Sequence, residues 1–185
     1  MAGAYSLNMR WLDLLFIAII LSACQNQAIF KQISDMQIVS PKFDNNGNIP
    51  SQYTCDGQDI NPPLEFKDVP VDARSLVLIM DDPDAIKPAG KVWDHWIVFN
   101  ILPDTKEVLE GQEPGGIHGL GTSNNLKYHG PCPPDGQHRY IFKLYALDIA
   151  LDLPEASNKK QIEEAINGHI LSQTQLIGVY KRINN

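Results

Sequence analysis

The chain has 185 residues, 43% hydrophobic and 20% charged, which suits one ordinary globular domain. Against 15 Lys and Arg stand 22 Asp and Glu, a net charge of −7. The basic footprint of a nucleic-acid binder is therefore absent; an acidic surface favours solubility and names no partner.

At the N-terminus, Leu12 and residues 14–21 form an apolar run interrupted only by Asp13. It falls short of the about 20 apolar residues that a spanning helix requires. It has the length of a signal-peptide core, with Arg10 as its positive flank. The run closes on Leu21-Ser22-Ala23-Cys24, which resembles a bacterial lipoprotein cleavage box: small residues enter a peptidase cleft and the Cys24 thiol takes the lipid. The competing reading, a buried apolar helix ending in cysteine, does not account for the order of run, small residues and Cys. Met9 competes with Met1 as the start, since Met9-Arg10-Trp11 gives a tidier signal. Residues 1–23 are thus expected to be a lipoprotein signal peptide, residues 24–35 a polar tether and residues 36–185 the folded domain. Removing residues 1–23 takes away Arg10 and Asp13, so the net charge stays at −7. Gln25 stands where an Asp would favour inner-membrane retention, so the expected location is the cell envelope, anchored by lipid in the outer membrane and facing the periplasm.

Five segments then read as strands: residues 36–43, 75–81, 92–101, 139–148 and 174–182, each rich in branched and aromatic side chains and bounded by turn formers. One stretch, residues 159–173, carries helical spacing through Ile162, Ile166, Ile170 and Leu171, with Ser157 or Asn158 as N-cap. Short strands with one late helix predict an all-β sandwich with a helical addition. With Cys24 assigned to lipid, Cys55 and Cys132 remain. In an oxidising compartment an even pair invites a disulfide; the spacing does not show whether they meet, so a bridge and two partly buried thiols both stand.

Residues 103–136 carry seven glycines between Gly111 and Gly136, together with Pro114, Pro131, Pro133 and Pro134. Long irregular segments in compact domains are often functional, and glycines let main-chain N–H groups approach a ligand. Three polar clusters lie on or beside strands: Asp81-Asp82-Pro83-Asp84, Trp93-Asp94-His95-Trp96, and the run from Gly130 through Cys132 and Pro134 to His138-Arg139-Tyr140. Strand alternation places His138, Tyr140, Phe142 and Leu144 on one face. The same rule puts His95 with Ile97, Phe99 and Ile101. A polar side chain at the rim of an apolar face is how a shallow pocket is built. Asp82 and Asp84 also suit a turn around Pro83. Trp93 and Trp96 read as packing, and His118, His129 and His169 as ordinary residues, with His129 beside the loop mouth.

These clusters, together with Tyr53-Thr54-Cys55-Asp56-Gly57, Asn61-Pro62-Pro63-Leu64 and the tail from Gly168 to Tyr180, resemble the phosphatidylethanolamine-binding protein family, in particular its bacterial Raf-kinase-inhibitor-like branch. The likeness runs from about residue 36 to 182. It implies a sandwich of two antiparallel sheets with a C-terminal helix, and a small pocket for phosphate or a phospholipid head group. Carried over position by position, the pocket residues are Asp82, Asp84, His95, Cys132, Pro134, His138 and Tyr140. One departure is Ile86, where the family usually has Pro after Asp-Pro-Asp-Ala; it predicts a looser backbone beside the pocket.

Imidazolium and tyrosine hydroxyl donors suit an anion, and the carboxylates are expected to orient a histidine, bond backbone or receive an ammonium. A hydrolase using Cys132 as nucleophile is the rival, but no Gly-x-Ser-x-Gly, His-Glu-x-x-His, Walker or Cys-x-x-Cys pattern is present. A metal site of Asp82, His95 and His138 is a third reading, and a protein partner covering the pocket surface a fourth. The favoured expectation is a binding protein without catalytic residues, cofactor or resident metal.

Overall fold

The computed structural model describes residues 35–182. The expectations for the signal peptide, Cys24 and nearly all of the tether lie outside these residues. The strands, in chain order, are β1 (Gln37–Val39), β2 (Gly47–Asn48), β3 (Leu64–Lys67), β4 (Ser75–Asp82), β5 (Trp93–Ile101), β6 (Glu107–Val108), β7 (Ile117–His118), β8 (Gln137–Leu147) and β9 (Ile170–Lys181). Among the described residues there are two α-helices, α1 (Ile86–Ala89) and α2 (Lys159–Ile166). The strands form a six-stranded sheet, order β2-β9-β8-β4-β5-β7, and a three-stranded sheet, β1-β3-β6. Pairing is antiparallel except for the two-residue contact of β2 with β9. No helix among the described residues is long and apolar enough to cross a membrane.

β4 lies at the centre and every one of its eight residues is buried. A strand covered on both faces reads as a continuous apolar run rather than an alternation, which is what Leu76-Val77-Leu78-Ile79-Met80 supplies. Its even residues, with Phe142 and Leu144 of β8, pack against Ile38 and Phe66 of the small sheet. Its odd residues Val77 and Ile79, with Ile97 and Phe99, pack beneath Ile162 and Ile166 of α2. On that same outer face the buried carboxylate of Asp81 accepts from Lys143 and Lys159, and Lys159 also reaches Asp94, tying α2 to the sheet.

Two bulges in β5 overturn the simple alternation expected for that strand. Between Leu78 and Leu76 the partner changes from Val98 to Ile101, and Asn100 between them takes a left-handed φ of 55°.

 
That left-handed Asn100 is held by its side chain, which donates to the Leu151 carbonyl at 2.9 Å and accepts from the Leu151 N–H at 2.8 Å. The extra residue turns Ile101 onto the inner face while Phe99 stays outside. A second bulge lies between the pairs Met80–Trp96 and Asp81–Asp94, so His95 is the inserted residue. A bulge re-aims side chains, and here it frees His95 from the outer row of Ile97 and Phe99.

The late helix is shorter than the helical spacing predicts. Asn158 caps it reciprocally with Gln161. The chain then leaves the helix at Asn167, and Gly168 adopts φ 86°, a conformation glycine takes without a Cβ penalty. Ile170 and Leu171 consequently begin β9 rather than extend the helix. The four-residue apolar step could not distinguish them because it continues by coincidence into the strand.

Candidate functional site

At the end of the large sheet, the turn after β4, the bulge of β5, the start of β8 and the proline-rich loop enclose a cavity of about 250 Å³. Asp82, His95, His129 and Tyr140 supply its polar lining. Ala85, Pro88, Ala89 and Trp93 form an apolar wall, and Cys132 and Pro134 the opposite lip.

Asp82 ends β4 and serves as the N-cap of the turn Pro83–Ala85: its Oδ1 accepts from the N–H groups of Asp84 at 2.9 Å and Ala85 at 3.1 Å. Its Oδ2 meets His138 Nδ1 at 2.7 Å, and Asp135 lies 3.2 Å from His138 Nε2. Burial pushes the Asp82 carboxyl up, against the pull of His138 and the two N–H groups. Burial also pulls the His138 imidazole down, but the Asp82 and Asp135 carboxylates overcome it and the net shift is upward. Asp84 turns away and forms a bidentate pair with Arg139, whose guanidinium holds its carboxyl below the ordinary range.

His95 Nδ1 donates to the His129 carbonyl at 2.6 Å, which fixes the tautomer and leaves Nε2 as an acceptor. Nε2 is buried and has no hydrogen-bond partner. Burial pushes the His95 pKa down to about 4, so the ring is neutral near pH 7. The Tyr140 ring meets the His95 ring edge-on, with centroids 5.2 Å apart. Its hydroxyl is likewise buried and without a well-formed hydrogen bond. Burial, then the carboxylates of Asp82 and Asp84, raise the Tyr140 pKa, while the nearby Cys132 main chain opposes them. The hydroxyl therefore remains a proton donor.

The proline-rich loop is fixed rather than free. Cys132 forms a disulfide with Cys55, 77 residues away, which settles the alternative that the spacing left open. Gly130 donates to Asp59 at 2.6 Å, and a Cβ on it would meet the Tyr53 carbonyl at 2.4 Å. The expectation that glycine N–H groups face the ligand is not met, because no lining residue is a glycine. Close packing is what requires glycine at position 130.

Of the seven residues singled out by the motifs, Asp82, His95, Cys132, Pro134 and Tyr140 line the cavity; His138 stands behind Asp82, and Asp84 is engaged with Arg139. His129 and Trp93, read from sequence as ordinary residues, also line it. So do Pro88 and Ala89 of α1, the segment after Ile86. The only sequence signal for His129 was its place beside the loop. Trp96 packs as expected, with Nε1 donating to Glu113 at 2.7 Å. Among the described residues no group of three His, Cys, Asp or Glu side chains is placed to hold a metal ion. The bridged Cys132 carries no thiol for nucleophilic attack.

A family model described as phosphatidylethanolamine-binding protein matches residues 39–181. A UPF0098 protein of Methanothermobacter thermautotrophicus is 48% identical over 153 residues, covering 80% of this chain and 99% of that protein. A UPF0098 protein of Chlamydia pneumoniae is 46% identical, with the same coverage. Among solved structures, a Chlamydia trachomatis homologue of the phosphatidylethanolamine-binding proteins is 43% identical, with a TM-score of 0.76 over 80% of this chain and 99% of that one. The chain belongs to the phosphatidylethanolamine-binding protein family.

Proposed function

We propose that this chain is a non-catalytic binding protein whose cavity takes a small phosphate-type anion, free or as a phospholipid head group, and that lipid on Cys24 anchors it in the cell envelope. Within the family, the Cys132-containing proline run and residues 53–64 favour the bacterial Raf-kinase-inhibitor-like branch. The observation that carries the binding reading is the pair of buried atoms without partners, His95 Nε2 and Tyr140 Oη, beside one cavity. Buried polar atoms left without partners cost about 1–3 kcal/mol each, a cost that a ligand bonding to both removes. A phosphate monoanion offers both required roles: its P–OH donates to the neutral Nε2 while an oxygen accepts from Tyr140. A diester lacks the P–OH and needs His95 protonated. The apolar wall of Ala85, Pro88, Ala89 and Trp93 accommodates the organic part of an ester. Catalysis is disfavoured because Cys132 is bridged and both His138 nitrogens face carboxylates.

Calorimetric titration with inorganic phosphate, a phosphomonoester and zinc tests this. Tyr140→Phe removes one hydroxyl and should weaken phosphate roughly ten- to hundredfold, from about 1.5–3 kcal/mol for a hydrogen bond to a charged group. Binding should strengthen as the pH falls from neutral to mildly acidic, because the phosphate then keeps the P–OH that donates to the neutral His95 Nε2. Zinc binding without phosphate binding across mildly acidic and neutral pH would rule the anion reading out.

A further inference from the structure

The cavity described above contains a carboxylate, a neutral imidazole and a phenol, and the charge of His138 is spent on Asp82 and Asp135. An anion site on a chain of net charge −7 needs a local cation. We propose that His129, oriented by Asp59, is that cation and donates a charge-assisted hydrogen bond to an oxygen of the bound phosphate, beside the Tyr140 hydroxyl. This rests on the anion reading.

Three features carry it. His129 lines the cavity, and its side chain is 32% exposed, so its charged form keeps contact with water, unlike that of His95. Its Nδ1 lies 3.4 Å from Asp59 Oδ2, and the other oxygen of Asp59 is fixed by the Gly130 N–H at 2.6 Å. A carboxylate on Nδ1 leaves Nε2, at the opposite side of the ring, to donate elsewhere. The main chain then sets the ring's place: His129 N donates to the His95 carbonyl at 3.2 Å while His95 Nδ1 donates to the His129 carbonyl. The two rings lie nearly parallel, 14° apart in plane, with centroids 5.9 Å apart. The titratable groups around His129 are Asp59 from the segment before β3, His95 from β5, Tyr140 from β8 and Asp82 from the end of β4 across the cavity. Two of these are carboxylates, and His95, kept neutral by burial, puts no charge of its own beside the ring.

Inorganic phosphate is the probe, titrated into the full mature chain at about pH 6 and pH 8, with imidazole nitrogen resonances followed in parallel. His129→Gln should weaken phosphate at least tenfold at the lower pH and flatten the change in affinity between the two. Asp59→Asn keeps an acceptor for Gly130 and should weaken binding severalfold. In the wild type the His129 Nε2 resonance should shift as phosphate saturates. Wild-type affinity and pH slope in a folded His129→Gln variant would overturn the proposal, as would an unmoved Nε2 resonance at saturation should the variant fail to fold. Either result leaves the anion reading standing, whereas a wild type that binds no phosphate removes both.

Discussion

His138 holds Asp82 on one ring nitrogen and Asp135 on the other, so it supports the cavity wall instead of facing the ligand. That role has a pH signature. The folded imidazole titrates above its ordinary value near 6.5, because the two carboxylates outweigh burial. A raised folded pKa contributes stability that is complete below the unfolded value and is lost as the pH rises through the folded one. Asp82, also raised, acts with the same sign at lower pH: its contribution is present below the unfolded carboxyl value and fades as the pH rises through its folded one. Urea unfolding at about pH 6 and pH 9 should therefore show the wild type losing stability relative to His138→Asn. The variant should be less stable by about 1–3 kcal/mol at the lower pH, the scale of a lost hydrogen bond to a charged group. A stability difference that does not change between the two pH values would show that the pair contributes packing alone.

At the scale of elements, β4 was legible as an apolar run, β8 as an alternation of apolar and polar residues, and β9 only from residue 174 on, because its polar first half carries no strand signal. β3 and β6 were not: they have four and two residues, and the Asn61-Pro62-Pro63 sequence before β3 carries no strand signal. The faces of β8 follow alternation, but those of β5 do not, because a bulge has no hydrophobic signature. Its outcome depends on the partner strand, and with it went the placement of His95. The proline-rich loop was legible as functional, yet what fixes it, the bridge from Cys132 to Cys55, depends on a partner 77 residues away. Closing a loop of that length restricts the unfolded chain and contributes about 4 kcal/mol. Replacing both cysteines by serine should lower the unfolding free energy by roughly 2–5 kcal/mol. Because Cys132 is itself in the cavity lip, phosphate binding should weaken as well. A destabilised variant with unchanged phosphate affinity would separate the bridge from the site.

For the whole molecule, the site and the proposed anchor make different demands. Among the described residues, the cavity is lined from within residues 82–140. A lipid on Cys24 would bring that cavity to a membrane surface and leave its chemistry unchanged; what it alters is the concentration of head groups the cavity meets. A single acyl chain holds a protein only reversibly, whereas two or more give stable anchoring. Cys24→Ala should therefore move the chain from the membrane fraction to the soluble envelope fraction without changing its calorimetric affinity for inorganic phosphate. Retention of the variant in membranes, at wild-type level and resistant to high salt, would exclude Cys24 as the anchor. Release accompanied by loss of phosphate affinity would instead tie Cys24 to the integrity of the cavity.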